Sequence, residues 1–233
     1  CSGWITDEAG NRRYFDPKTF VMAEGEQTID GKTYTFDEKG VGTLKQDKWN
    51  QLLETYENDS SVNQLIFVQY QGGSNAQVIL YEKQNGSWKE DFSCQGYVGG
   101  NGIDKVKEGD RKTPTGVFGF TKAFGIKDNP GAKLPYTKLN PYLYWCGDEQ
   151  WYNTLVDVRE IHHECSGEHL ISYVPHYNYV LAIDYNPECI FGKGSAIFLH
   201  CTGSNPYTGG CVAVSESNMI RIMQTVDKGA KIC

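Results

Sequence analysis

No run of 18 apolar residues occurs in this chain, so a membrane-spanning helix is excluded. Nor is there a basic stripe: 22 Lys and Arg stand against 29 Asp and Glu, and the formal net charge of −7 has the wrong sign for a nucleic-acid partner. Eight cysteines are present without a Cys-x-x-Cys pair, which argues against a zinc ribbon. Gly99-Gly-Asn-Gly102 is not followed by a helix signal, so it reads as a turn and not as a dinucleotide-binding loop. His163-Glu164 lacks the second histidine of a His-Glu-x-x-His metal helix, because Gly167 stands in its place. No signal peptide is visible; the start at Cys1-Ser-Gly-Trp4 reads as a trimmed or mature terminus, with lipidation of Cys1 as the minor reading.

Aromatic residues and glycine are plentiful, with 15 Tyr, 10 Phe, 5 Trp and 26 Gly. That balance favours many strands and turns over long helices, so the expected class is mainly β with a few short helices. A length of 233 residues suits one catalytic-sized domain plus a small appendage. The cysteines, at 1, 94, 146, 165, 189, 201, 211 and 233, are widely and irregularly spaced. They read as a partial disulfide framework in an exported protein.

The first 40 residues hold a repeat. Gly10-Asn-Arg-Arg-Tyr-Phe15-Asp16 aligns with Gly31-Lys-Thr-Tyr-Thr-Phe36-Asp37 at a constant offset of 21 residues. Each unit is a turn and a short aromatic strand, hence a β-hairpin too small to bury a core alone. Two copies are few, which predicts further repeats upstream. The next segment places Trp49, Leu52, Leu53 and Tyr56 at helical spacing, which predicts a linker helix within 46–61. The partition read from these signals is 1–45 for the hairpin repeats, 46–61 for the linker and 62–233 for the main domain. Within the latter, strands are expected at 64–70, 76–82 and 88–94 as a meander, then at 117–121, 179–185 and 194–200. Residues 124–178 read as a long irregular lid. Ser215 caps a final helix that carries Met219, Ile220 and Met223.

The stretch with most chemistry runs from Gly194 to Val214. An apolar strand ends at His200; a loop of small and polar residues follows; then Thr208-Gly-Gly-Cys211 opens a second apolar run. An imidazole can take the proton of a nearby thiol, which otherwise ionises only near pH ~8.5. Glycines beside the thiol let the backbone turn tightly and aim amides at a developing oxyanion. The pattern suits acyl transfer through a thioester. His162, His163, Glu164, Cys165 and His169 invite a metal reading, but thiol catalysis needs no metal and none is expected. His176 reads as a packing residue. Trp145, Trp151 and Tyr152 either shape a cleft or fill the lid, and Lys107, Arg111 and Lys112 either attract an anionic ligand or form a solvated turn.

Two resemblances follow. The hairpins, with their Gly-Trp, Tyr-Phe-Asp and Asp-Gly-Lys signatures, resemble the choline-binding type of cell-wall-binding repeat, which implies wall attachment and names Trp4, Tyr14, Tyr34 and Phe36 as candidates for an aromatic cage around choline or a wall polysaccharide. His200, Thr208-Gly-Gly-Cys211-Val, Gly109-Asp-Arg-Lys-Thr-Pro-Thr-Gly-Val-Phe118 and the strands around 179–186 and 194–200 resemble the L,D-transpeptidase (YkuD-type) catalytic domain. That resemblance implies a β-sandwich, no cofactor, and peptidoglycan stem peptides as substrate, cross-linked 3→3 through an acyl-enzyme. It implies Cys211 as nucleophile and His200 as general base. It further implies backbone groups of Gly209, Gly210 and Cys201 around the oxyanion and the imidazole, with Thr208 and Tyr207 as substrate contacts. A secreted, wall-associated location in a Gram-positive bacterium goes with it. Many members carry a histidine where this chain has Gly209, and Arg or Asn where it has Ala213; the eleven-residue spacing from His200 to Cys211 is also short. Hydrolysis of wall peptides and a non-catalytic wall-binding role remain the alternatives.

Overall fold

The computed structural model describes residues 2–30, 32–45 and 48–233. Cys1, Gly31 of the second repeat and the first two positions of the expected linker helix, Gln46 and Asp47, lie outside the described residues. The chain forms two compact units, Cys1–Asp59 with Lys83–Lys89, and Ser60–Glu82 with Glu90–Cys233.

The first unit is built from turns that aspartates close. β1 (Gly3–Thr6) and β2 (Arg12–Phe15) form an antiparallel hairpin with Trp4 opposite Tyr14. β3 (Gly25–Ile29), β4 (Lys32–Phe36) and β5 (Gly42–Leu44) form a three-stranded sheet. Asp7 accepts from the amides of Ala9 and Asn11, and Asp37 from those of Lys39 and Val41, so short side chains close equivalent turns. Trp4 packs its ring 5.3 Å from Tyr14, 4.6 Å from Tyr34 and 5.9 Å from Phe36. The Arg12 guanidinium lies 4.3 Å from the Trp4 ring centre. The four candidate cage residues therefore pack on one another, and an internal cation already occupies one tryptophan face.

The helix that follows, α1 (Lys48–Thr55), is shorter than the expected 46–61. Its apolar stripe ends at Tyr56, and Glu57-Asn-Asp-Ser-Ser61 favours turns over a further helical turn. Leu53 is buried, and its carbonyl accepts from the Trp88 indole at 2.9 Å.

The second unit is a nine-stranded mixed sheet. A meander opens it: β6 (Gln64–Gly72), β7 (Asn75–Gln84) and β8 (Ser87–Tyr97). Asn85 and Gly86, with φ of 53° and 80°, make the two-residue turn whose twist matches a hairpin. β9 (Phe120–Gly125), β10 (Tyr136–Lys138), β14 (Val180–Ile183), β15 (Phe198–Cys201), β16 (Val212–Val214) and β17 (Lys231–Ile232) complete the order β10-β9-β14-β15-β16-β8-β7-β6-β17. The helix α3 (Glu216–Thr225) starts where the Ser215 hydroxyl accepts the Asn218 amide, and buries Met219, Ile222 and Met223. Strands near both ends of the sheet contribute to the cluster around α3, with Ile66, Val78 and Leu80 joining Leu181, Leu199, Val212 and Val214. The sheet thus folds over the helix, and the mainly β, sandwich-type architecture follows from that curvature.

The other face carries the lid. Residues 124–178 are not irregular: β11 (Leu143–Cys146) lies between β12 (Thr154–Asp157) and β13 (Glu168–His169), with the short helix α2 (Val158–Ile161) after β12. Strands of two to four residues are too short for their alternation to show in the sequence. A disulfide joins Cys146 to Cys165 across 19 positions. A loop of that size limits the unfolded chain by about 3 kcal/mol. Reduction, or Cys165→Ser, is expected to lower the unfolding free energy by about that amount, measured as a lower denaturant midpoint; an unchanged midpoint would show that the bridge contributes nothing.

Candidate active site

β15 and β16 are parallel neighbours, with Leu199 beside Val212, His200 beside Ala213 and Cys201 beside Val214. Side chains alternate across a sheet. Leu199, Cys201, Val212 and Val214 enter the cluster beneath α3, whereas Phe198 and Cys211 enter the cluster beneath the lid. His200 therefore shares a face with Cys211, and both line one cleft of about 550 Å³.

The turn before Cys211 is fastened from two sides. The Cys211 carbonyl accepts from the Thr208 hydroxyl at 2.7 Å and from the Thr113 hydroxyl at 3.1 Å. Thr113 also accepts from the Gly99 amide at 2.9 Å. Thr208 is 7% exposed and accepts from the Gly210 amide at 3.1 Å. The hydroxyl of Thr208 thus staples the loop while the residue lines the cleft, and the Gly210 amide donates to that hydroxyl. The amides of Gly209 and Cys211 donate to no protein group among the described residues, so they are the available pair. Gly210 has φ of +145°, and a Cβ on it would sit 2.9 Å from the Lys112 carbonyl oxygen, which only glycine tolerates. Tyr207 is 44% exposed at the rim, with the Arg111 guanidinium over its ring. Thr113, within the Gly109–Phe118 motif, carries no local signal of its role: its buried hydroxyl bonds exist only once the segment after β8 meets the loop before Cys211.

His200 Nδ1 lies 2.7 Å from the Cys201 carbonyl oxygen. A carbonyl only accepts, so Nδ1 carries hydrogen in the neutral ring and Nε2 is the basic nitrogen. Burial lowers the His200 pKa to about 4, against the opposing pull of the Cys201 carbonyl. Burial also raises the Cys211 thiol to about 12, and the Glu168 carboxyl pushes it the same way. The Sγ atom donates to the Ala196 carbonyl at 3.2 Å and accepts from the Phe198 amide at 3.3 Å. Ala196 itself has φ of +53°, a strained left-handed conformation at the site. No hydrogen bond joins Cys211 to His200 in this state. Burial thus favours the uncharged form of both groups, with the thiol turned to the Ala196 carbonyl. With the thiol pKa raised, the thiolate fraction climbs with pH throughout the neutral range. Alkylation of Cys211 by iodoacetamide in the free protein is expected to rise steadily to pH 9, read by peptide mapping; a plateau below pH 8 would reveal a preformed ion pair.

Around this centre, Trp145 packs edge-on to Phe198 at 4.8 Å and lines the cleft. His176 also lines it, 5.9 Å ring to ring from His200. Tyr152 instead bonds Glu108 and the Gly194 amide. Lys105 reaches the cleft and not Lys107 or Lys112; its side chain is 2% exposed and paired with Asp110 at 2.8 Å. Glu168, which the sequence did not single out, lines the cleft and accepts from the Tyr177 hydroxyl.

The histidine cluster is dispersed. His169 binds the Pro141 carbonyl and Ser172. His163 pairs with Asp148 at 2.9 Å, beside Cys146 and Cys165, and among the described residues these four bring donor atoms within 4.8 Å of one another. The two sulfurs are joined to each other, and Asp148 is taken by His163 and Ser166. The set is accounted for as a cross-link with a hydrogen-bonded carboxylate, whose pKa those bonds lower to about 2.

No curated protein matches the chain. Among solved structures, Bd1075 of Bdellovibrio bacteriovorus is 14% identical, over 73% of this chain and 47% of its own, with a TM-score of 0.41. The helical cell shape determining protein Pgp2 of Campylobacter jejuni is 19% identical, over 78% and 53%, with a TM-score of 0.42. The Ldtfm–avibactam carbamoyl enzyme is 12% identical, over 90% and 92%, with a TM-score of 0.30. The chain spans about half the length of the first two. Residues 47–232, which include His200 and Cys211 and the sheet that carries them, match the model of the L,D-transpeptidase catalytic domain, and the chain belongs to this YkuD family.

Proposed function

We propose that this protein cross-links peptidoglycan stem peptides 3→3. In this reading Cys211 attacks the carbonyl between the L-centre of a dibasic residue and the following D-alanine. His200 Nε2 takes the thiol proton and returns it to the departing amine. The amides of Gly209 and Cys211 stabilise the oxyanion; one such donor contributes about 10²–10³ in rate. The acyl group then passes to an amine of a second stem. The observation that carries the reading is the placement of His200 and Cys211 on one face of adjacent parallel strands, at the floor of one cleft.

Hydrolysis shares every step up to the acyl-enzyme, so the acceptor decides between the two. Incubation with disaccharide-tetrapeptide, followed by mass spectrometry, separates them. Cross-linked dimers support the proposal, and tripeptide alone identifies an L,D-carboxypeptidase. The hairpin unit is proposed to hold the enzyme at the cell wall outside the membrane. Its support is the repeat pattern; the packed rings around Trp4 and the overlying Arg12 favour a wall polysaccharide over choline as its ligand.

A further inference from the structure

Two acidic side chains line this cleft, Glu108 and Glu168, and the protein treats them differently. Glu108 accepts from two hydroxyls, those of Tyr152 and Ser195. Glu168 makes no ion pair among the described residues. Its one side-chain partner is a neutral phenol, Tyr177, whose ring lies 5.6 Å from that of His200 and 5.6 Å from that of Phe198. Strand pairing sets Glu168 opposite Trp145, so the carboxyl comes from the lid and faces the floor that carries Cys211.

A carboxylate here has the wrong charge to activate the nucleophile, because a negative neighbour opposes ionisation of the Cys211 thiol. It has the right charge for a substrate cation. An uncompensated acid in a partly desolvated cleft is unfavourable in the free protein and becomes favourable when a cation binds. Burial raises Glu168 to about 7, within the range where a carboxylate both binds an ammonium and accepts its proton.

We propose that Glu168 is the catalytic residue that captures the primary ammonium of the acceptor stem and takes its proton as that amine attacks the Cys211 thioester. This rests on the transpeptidase reading and names the residue that directs it toward an amine. The step balances. The ammonium gives one proton to the Glu168 carboxylate; its nitrogen forms the new C–N bond to the acyl carbon, and the C–S bond breaks. The second nitrogen proton reaches the departing sulfur through His200. The products are the amide, the Cys211 thiol and protonated Glu168, which then returns its proton to solvent.

The test uses the full chain and Glu168→Gln with disaccharide-tetrapeptide as both donor and acceptor, alongside carbapenem acylation followed by intact mass. The variant is expected to acylate at least as fast as the native protein, since the negative neighbour of Cys211 is gone, while its ratio of dimer to tripeptide falls about a hundredfold, the lower end of general-base effects. An unchanged ratio overturns the proposal. A parallel loss of acylation and dimer in folded variant, judged by its melting transition, also overturns it by placing Glu168 in donor binding. Should Glu168→Gln not fold, Glu168→Asp, which keeps the charge and withdraws it by one methylene, is expected to lower the ratio with acylation intact; a native ratio there counts against the proposal. Native protein that yields tripeptide alone defeats the transpeptidase reading itself, an outcome visible before any variant is compared.

Discussion

Cys211→Ala is expected to form no adduct with a carbapenem, and Cys201→Ala to keep most of its acylation. Both thiols are buried and both are raised to about 12 by that burial, so ionisation alone does not tell them apart. Their faces do. Cys201 is 1% exposed in the cluster beneath α3, with its thiol 3.7 Å from the Tyr179 carbonyl, and is not among the residues that line the cleft of Cys211. Cys211 lines the cleft, with the Gly209 amide and its own beside it. Without its sulfur no thioester forms, and the loss is complete rather than graded. Trimming Cys201 removes one small buried atom and leaves the Cys201 carbonyl, which is the part that orients His200. Intact mass and peptide mapping decide the matter; an adduct on any other cysteine would contradict the assignment.

The second large effect is expected from His200→Gln. The substitution keeps bulk and polarity in the cleft but removes the group that can both accept and return a proton. Positioned proton transfer contributes roughly 10²–10⁴ in rate, so acylation is expected to slow by about that factor without disappearing. The sign with pH is informative. In the native protein the imidazole is neutral above about pH 4, because burial lowers its pKa, so the base is present at every neutral pH. In the variant, acylation depends on thiolate formed unaided, and its rate is expected to rise about tenfold per pH unit below the raised thiol pKa. Stopped-flow acylation from pH 6 to 9 measures both slopes; parallel profiles for the two proteins would remove His200 from the proton transfer.

Much of the fold is legible in the residue order. The meander shows because β6 and β7 carry the apolar runs Leu65–Val68 and Val78–Tyr81 and Asn85-Gly86 marks the turn between β7 and β8. The last helix shows because Ser215 precedes an apolar stripe at helical spacing. The lid does not show: its strands are short, and a disulfide closes it from positions 19 apart. The site divides in the same way. His200 and Cys211 stand close in the chain and are chemically conspicuous. Thr113 and Glu168 are not, since a threonine and a glutamate gain meaning only from what they meet.

The amino-acid order by itself determined the family and singled out the candidate nucleophile and base, since thiol, imidazole and glycines lie within one short segment whose chemistry is local. Only the tertiary structure decided which amides remain open to an oxyanion and which acid overlooks the thiol. Those properties depend on groups brought together from distant parts of the chain: Thr208 takes the Gly210 amide, Thr113 reaches across 98 positions to the Cys211 carbonyl, and the lid lowers Glu168 into the cleft. A hydrogen bond made or withheld across such distances follows from packing, and packing is a property of the whole sheet rather than of any stretch of sequence.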